Sequence, residues 1–323
     1  MNKSAKLPQQ QLLQQRYNPL NDFLFYKIMG EKGDEVQLLG FLNAVLGKTG
    51  TDRFTSVEII ENKSFTPKVI GDKTSILDVR AVLQGKAKVN IEVQVRNRRN
   101  MDRRSLFYWS REYAESLKAG QDYRKLPDVI AINIVDFDYP PAHNFHTRFH
   151  LREDNDRDMI LTGALEIHFI NMVKYRRQAK KGEMNDPLGR WLAWLNRRSP
   201  PELVTEVVEM DSAIQAANER MVYVTGDKEA IRAYEMRQMA LSDYTSTMNY
   251  ARDEGRRQGM RKGMTEGMKK GMTKGITEGM KKGMAQGRQE STLENARKMK
   301  TMGFLVEQIQ AVTGLPIETI ERI

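Results

Sequence analysis

Over residues 75–83 the side chains alternate, with Leu77, Val79, Ala81 and Leu83 on one face and Ile76, Asp78, Arg80 and Val82 on the other. Gln84-Gly85-Lys86 predicts a tight turn, after which Val89, Ile91, Val93 and Val95 alternate with Asn90, Glu92 and Gln94. Two such runs so close together predict a hairpin. Asp78 then points away from the main apolar face, and Glu92 and Gln94 share a polar one. The nearly continuous apolar run 129–135 predicts a buried central strand, and residues 145–150 alternate as a further strand. Helical spacing fills much of the rest. A helix is expected over roughly 19–29, with Asn18 as its cap, Pro19 at its first position and Gly30 as its stop. A second carries Val36, Leu38, Leu39, Leu42, Val45 and Leu46 and ends at Gly47. A third covers 102–119, with Leu106, Trp109, Tyr113 and Leu117 as its apolar stripe and Gly120 as its stop. Residues 187–250 are helical again. The pattern predicts an α/β fold with a mixed sheet flanked by helices.

From Gly255 to Gly287 a different rule takes over: glycine recurs at every fourth position, nine times, usually followed by Met or Ile. In a helix each glycine costs about 1 kcal/mol relative to alanine, so nine cost on the order of 9 kcal/mol, and a lone helix here is marginal. A step of four residues also drifts by about 40° against the helical repeat, so the stripe winds right-handed around the axis. Two expectations stay open, a basic tether and an oligomerisation seam, with contact to DNA phosphates as a further one. Beyond it, 293–302 and 305–312 predict two short helices around Gly303, and a last turn at 316–323 follows Gly314. Together they form a small helix-turn-helix-like unit that suits DNA or protein contacts.

Composition narrows the class. With 323 residues the chain has room for a sizeable core plus an extended tail. It holds no cysteine, which excludes disulfides and thiolate zinc sites and fits a reducing cytoplasm. No run approaches the length of a membrane span. The net charge of +10 favours an anionic partner. Residues 251–290 hold eleven Lys or Arg against five Asp or Glu, which is +6 of that total.

The candidate chemistry lies in the hairpin. If its strands pair, Asp78 and Glu92 converge, as a hard divalent cation with oxygen ligands requires. The same residues also suit the wet side of a half-exposed hairpin. Arg96, Arg98, Arg99, Arg103, Arg104 and Arg111 follow directly, either as phosphate contacts or as a solvated face. Arg104, Tyr108 and Arg111 share one helix face, which could grip a DNA backbone, while Tyr108 is equally suited to a core. Asp22 lies in the first turn of its helix, where an acid complements the dipole. His143, His146 and His150 are expected on the exposed face of a strand and not as metal ligands.

Several stretches together resemble the recombination-promoting nuclease and transposase family of the PD-(D/E)XK superfamily: residues 18–30 (NPLNDFLFYKIMG), 57–60 (VEII), the Asp78 and Glu92-Val93-Gln94 hairpin, 104–108 (RSLFY), 120–123 (GQDY), 129–135 (VIAINIV), 165–169 (LEIHF) and the glycine tail. The resemblance spans roughly 18–250. It implies a restriction-endonuclease-like core and an Mg2+-dependent DNA endonuclease linked to recombination or transposition, with Mn2+ or Ca2+ as alternative ions. Asp78, Glu92 and the carbonyl of Val93 are the implied metal ligands, Gln94 the residue that orients the attacking water, and Asp22 a third carboxylate. Two departures stand out. Leu77 replaces the proline before the first acid, and Gln94 replaces a lysine, so it supplies hydrogen bonds but no positive charge. A DNA-binding accessory that has lost cleavage, and an oligomeric interaction protein built on the tail, are the alternatives. The expected organisation is a tail over 1–17, a nuclease core over 18–180, a helical extension over 181–250, the basic glycine repeat over 251–290 and a small helical unit over 291–323. DNA is the expected partner, with a homo-oligomer through the repeat and no membrane contact.

Overall fold

The computed structural model describes residues 17–60, 78–178 and 186–323. The N-terminal tail up to residue 16 and the start of the first hairpin strand, Leu77 included, lie outside the described residues. The chain divides into two compact units, Met1–Leu241 and Ser242–Ile323.

The first unit is built on a six-stranded sheet of β1 (Val57–Ile59), β2 (Val79–Leu83), β3 (Ala87–Gln94), β4 (Asp128–Val135), β5 (His146–Phe149) and β6 (Leu165–Asn171), in the order β1-β2-β3-β4-β6-β5. The pairs β1/β2, β2/β3 and β5/β6 are antiparallel, and β3/β4 and β4/β6 are parallel. The sheet is therefore mixed, as the alternation predicts. Its helices are α1 (Asp22–Met29), α2 (Glu35–Val45), α3 (Met101–Ala114), α4 (Met172–Gln178), α5 (Pro187–Leu195), α6 (Pro201–Met210) and α7 (Ser212–Gly226), and the start of α8 (Lys228–Thr301) belongs to the same unit. A parallel pair needs a crossover, and α3 supplies it between β3 and β4.

The period-two pattern divides the two faces. Val79, Ala81 and Leu83 of β2, with Val89, Ile91 and Val93 of β3, are buried in the main core against α1, α2, α5 and α7. On the other face a smaller cluster joins Met101 of α3 to Ala131, Val135, Leu165, Ile167 and Phe169. Both faces of β4 are thus covered, which accounts for its unbroken apolar run. Gly40 allows α2 to meet α7 closely, since a Cβ there would lie 2.3 Å from that of Ala213.

Two expectations are corrected here. Helix α1 is capped by Asn21, whose side chain accepts from the N–H groups of Phe23 (3.1 Å) and Leu24 (3.2 Å). Asn18 instead closes a turn, its carbonyl accepting the Asn21 N–H at 2.9 Å. The stripe read on the third helix holds in part: Trp109 packs against the smaller cluster and stacks on Tyr113, with ring centroids 5.0 Å apart, but Leu106 does not join it. The buried residues of α3 are Met101, Ser105 and Glu112, while Leu106 is 50% exposed. The physical reason lies in the sheet: α3 covers the face that carries Asp78, Arg80 and Glu92, so it presents polar side chains to that face.

In the second unit the glycine segment is helical throughout as part of α8, and every residue from 255 to 290 is exposed. Met260, Met264, Met268, Met272, Ile276, Met280 and Met284 stand on it as solvent-facing apolar groups. At its end, α9 (Val306–Thr313) and α10 (Ile317–Arg322) follow glycines with φ of 84° (Gly303) and 70° (Gly314) and close a small core of Ala296, Ile309 and Ile320. Among the described residues no helix is long and apolar enough to cross a membrane.

Candidate metal and catalytic site

The β2/β3 register runs from Leu83↔Ala87 to Val79↔Ile91. One further step sets Asp78 opposite Glu92, so the hairpin does bring the two acids together across neighbouring strands. Both are buried, Asp78 at 8% and Glu92 at 2% exposure. A wet hairpin face would leave them in water. Helix α3 buries them instead, and it does so with paired polar groups. Arg104 donates its Nε–H to Glu92 Oε1 at 2.7 Å and adds a second contact from its guanidinium to the same oxygen. Gln94 donates from Nε2 to that oxygen at 2.6 Å. Lower on the same face Glu112 of α3 is paired with Arg80 and, at 3.0 Å, with Lys88.

Burial, and then the negative charge of Glu92, push the Asp78 carboxyl well above the usual carboxylate range, against the opposing influence of Arg104, a hydrogen bond with Asn90 and Arg80. Two acids are brought together out of water here, with Arg104 paired to Glu92 and Arg80 engaged by Glu112, and the balance at Asp78 still falls toward its neutral form. Such perturbed groups collect where a ligand completes the balance. Arg104 also lies over the Tyr108 ring, 5.1 Å from its centroid. Burial raises the Tyr108 hydroxyl pKa, Arg104 acts against this, and Glu92 and Asp78 add to it.

The donor set fits a hard divalent cation. Asp78 and Glu92 offer carboxylate oxygens, and Asn90 adds a buried amide oxygen with no hydrogen-bond partner. The backbone contributes as well. Arg80's carbonyl accepts from Ile60 on the β1 side, so Val79 turns its backbone groups to β3 and pairs with Ile91. Val93, two residues beyond Ile91, directs its carbonyl to the same side, past the last described rung of the ladder. Among the described residues, however, no three His, Cys, Asp or Glu side chains cluster as a metal site.

The remaining residues singled out from the sequence fall as follows. Asp22 is the first residue of α1; its carboxylate is paired with Arg237 and accepts the Phe23 N–H at 2.9 Å. Burial raises its pKa, Arg237 lowers it, and neither Asp78 nor Glu92 is among its electrostatic partners. Arg98, Arg99 and Arg103 are exposed and Arg96 is half-buried. Arg111 is exposed and paired with Glu115 at 2.7 Å. His146 corrects the expectation of an exposed histidine face: it is half-buried, with Nε2 2.9 Å from Nδ1 of His168, whose own Nε2 lies 2.9 Å from Glu166. Burial, reinforced by His168, lowers the His146 pKa to about 4.

A family described as PD-(D/E)XK nuclease family transposase matches residues 19–251. The chain belongs to it. The mixed six-stranded sheet and its covering helices are the α/β core expected of this nuclease family. No curated protein and no solved structure matches the chain.

Sequence reasoning passed over Asn90, Arg80 and Glu112 as site residues, and also Ser105, whose hydroxyl donates to Asn133 Oδ1 at 2.9 Å beneath the site. A signal for the first two was present. Arg80 and Asn90 stand one period-two step from Asp78 and Glu92. Ser105 and Glu112, seven residues apart on a helix, mark the polar face of α3.

Proposed function

We propose that the protein is a DNA endonuclease that uses a divalent cation, Mg2+ before Mn2+ or Ca2+, and acts in DNA recombination or transposition in the cytoplasm. The observation that carries this is the buried Asp78/Glu92 pair, with Gln94 and Arg104 on one Glu92 oxygen, in a chain of a nuclease family. Asp78, Glu92 and the Val93 carbonyl hold the cation, and Asn90 steadies Asp78 through its hydrogen bond. The bound ion supplies Lewis acidity, lowering the pKa of a water and neutralising charge at phosphorus. Gln94 has no proton to lose in the working pH range, so its amide orients the water or a phosphate oxygen. Arg98 and Arg99, exposed after β3, and Arg103, exposed in the first turn of α3, meet the DNA backbone. Asp22, held by Arg237, stays outside the direct ligand set.

Purified full-length protein and supercoiled plasmid, with Mg2+ or with EDTA, test this. Nicked or linear product only with the metal is expected. Plasmid that binds but stays supercoiled in Mg2+ and Mn2+ would leave the DNA-binding accessory.

A second property rests on a separate observation, the exposed Met and Ile stripe that accompanies the glycines of α8. Close packing against a second copy would offset the propensity cost of those glycines. Light scattering of the full chain against a chain ending at residue 250 reads this directly, with loss of the oligomer expected on truncation.

A further inference from the structure

The cation that the strand lacks at Gln94 is supplied by the helix, from Arg104, and it is held on one oxygen of the Glu92 carboxylate that the proposed metal would share. We infer that Arg104 is a gate on the site: in the metal-free protein it holds Glu92, and metal binding releases it toward the DNA phosphate. This rests on the endonuclease proposed above and assigns Arg104 a role distinct from the exposed arginines.

Three observations converge on Arg104. First, both Arg104 Nε, at 2.7 Å, and Gln94 Nε2, at 2.6 Å, donate to the same Glu92 oxygen. A carboxylate oxygen carries two lone pairs, so Oε1 is fully engaged; a cation held by both Glu92 oxygens displaces a donor there, and one on Oε2 meets the Arg104 charge directly beside it. Second, Arg104 is ion-paired with Glu92, and its charge also favours the negative forms of Asp78 and Tyr108. A divalent ion repels it while satisfying the acids it now serves, so metal and Arg104 oppose each other at Glu92. Third, Arg104 has somewhere to go. It is the neighbour of Arg103 in the first turn of α3, and its guanidinium carbon lies 5.1 Å over the centroid of the Tyr108 ring, a flat support on which it can pivot without losing contact. Released from Glu92, it presents a forked donor suited to a phosphate.

Arg104 is thus a positioning residue in the free protein and a phosphate-binding one in the loaded complex. The metal state of the site is thereby coupled to DNA affinity: binding the ion frees a cation for DNA, and each ligand strengthens the other.

The test compares wild type, Arg104→Gln and Arg104→Lys, full-length, by calorimetric titration with Mg2+ in the absence of DNA. Removing a charge-assisted competitor is expected to tighten Mg2+ binding of Arg104→Gln by about tenfold, equivalent to about 1.4 kcal/mol. The lysine variant, which keeps the charge, should return most of the way to wild type. Ca2+ should raise the affinity of wild type for a short duplex, read by anisotropy, and raise that of Arg104→Gln much less. Unchanged or weaker Mg2+ binding by a folded Arg104→Gln overturns the gate. If that variant does not fold, a lysine variant that binds Mg2+ as wild type does, with an undiminished Ca2+ effect on DNA, supports the gate, and a lysine variant lacking the Ca2+ effect overturns it. Wild type that neither binds Mg2+ nor cuts DNA overturns the endonuclease proposal itself, whereas wild type that binds and cuts while Arg104→Gln keeps the wild-type affinity removes the gate alone.

Discussion

Replacing Asp78 with Asn should make the metal-free protein more stable at pH 8. Cross-strand neighbours lie about 5 Å apart, and two unit charges at that distance and an effective dielectric of about 20 repel by about 3 kcal/mol. Arg104, hydrogen-bonded to Glu92 at 2.7 Å, offsets part of this, so a net gain of about 1–2 kcal/mol is expected for the neutral isostere. The sign with pH follows from the raised Asp78 pKa. A carboxyl whose folded pKa lies above its unfolded value stabilises the fold fully below the unfolded pKa and loses that contribution as pH rises through the folded one. The advantage of Asp78→Asn should therefore be absent near pH 4 and grow toward pH 8. Urea denaturation in EDTA at several pH values reads it, and the melting temperature at pH 8 should rise by a few degrees, since about 1 kcal/mol corresponds to roughly 2–4 °C in a domain of this size. Added Mg2+ should stabilise wild type and not the variant. A variant less stable than wild type at pH 8, by 1 kcal/mol or more, with no trend in pH would make Asp78 an ordinary hairpin residue.

His146, whose pKa is lowered to about 4 by burial and by His168, works in the opposite sense: its neutral form is favoured in the fold, so stability is lost as pH falls from about 6.5 toward 4. His146→Gln should flatten that loss, by on the order of 2 kcal/mol, in urea midpoints at pH 7 and 4.5. Deleting residues 251–323 should weaken DNA binding and lower its salt dependence, because fewer counterions are released, while plasmid cutting persists; an unchanged salt slope would exclude the tail as a phosphate contact. Changing Arg98, Arg99 and Arg103 to Ala should weaken binding to unrelated duplexes about equally, in anisotropy at moderate salt. Unaltered affinity would reduce these arginines to a solvated face.

The sheet was legible in the sequence because its signals are local. Asp78 and Glu92 were assigned to one hairpin face from alternation and a short turn alone, and the register places them opposite one another. The burial of that face was not legible. It depends on α3, the crossover helix, which turns Ser105 and Glu112 inward, and alternation along a strand carries no information about a helix that later covers it. Leu106 was misplaced in the apolar stripe for the same reason, since an amphipathic pattern assumes an apolar partner, whereas Trp109 of that stripe does pack on the smaller cluster. Arg104 looked like one of six similar arginines, and only its pairing with Glu92 separates it from the exposed ones. His168 shows the converse: a single buried histidine is silent in sequence until β5 places His146 beside it.

The measurement closest to the central claim is conversion of supercoiled plasmid by wild type, Asp78→Asn and Glu92→Gln, each first shown to melt cooperatively. Wild type should nick or linearise the plasmid in Mg2+ and leave it intact in EDTA, and neither variant should act in Mg2+ while both still bind DNA. A folded variant that cuts with Mg2+ at the wild-type rate would contradict the assignment of the two acids as the metal-binding pair.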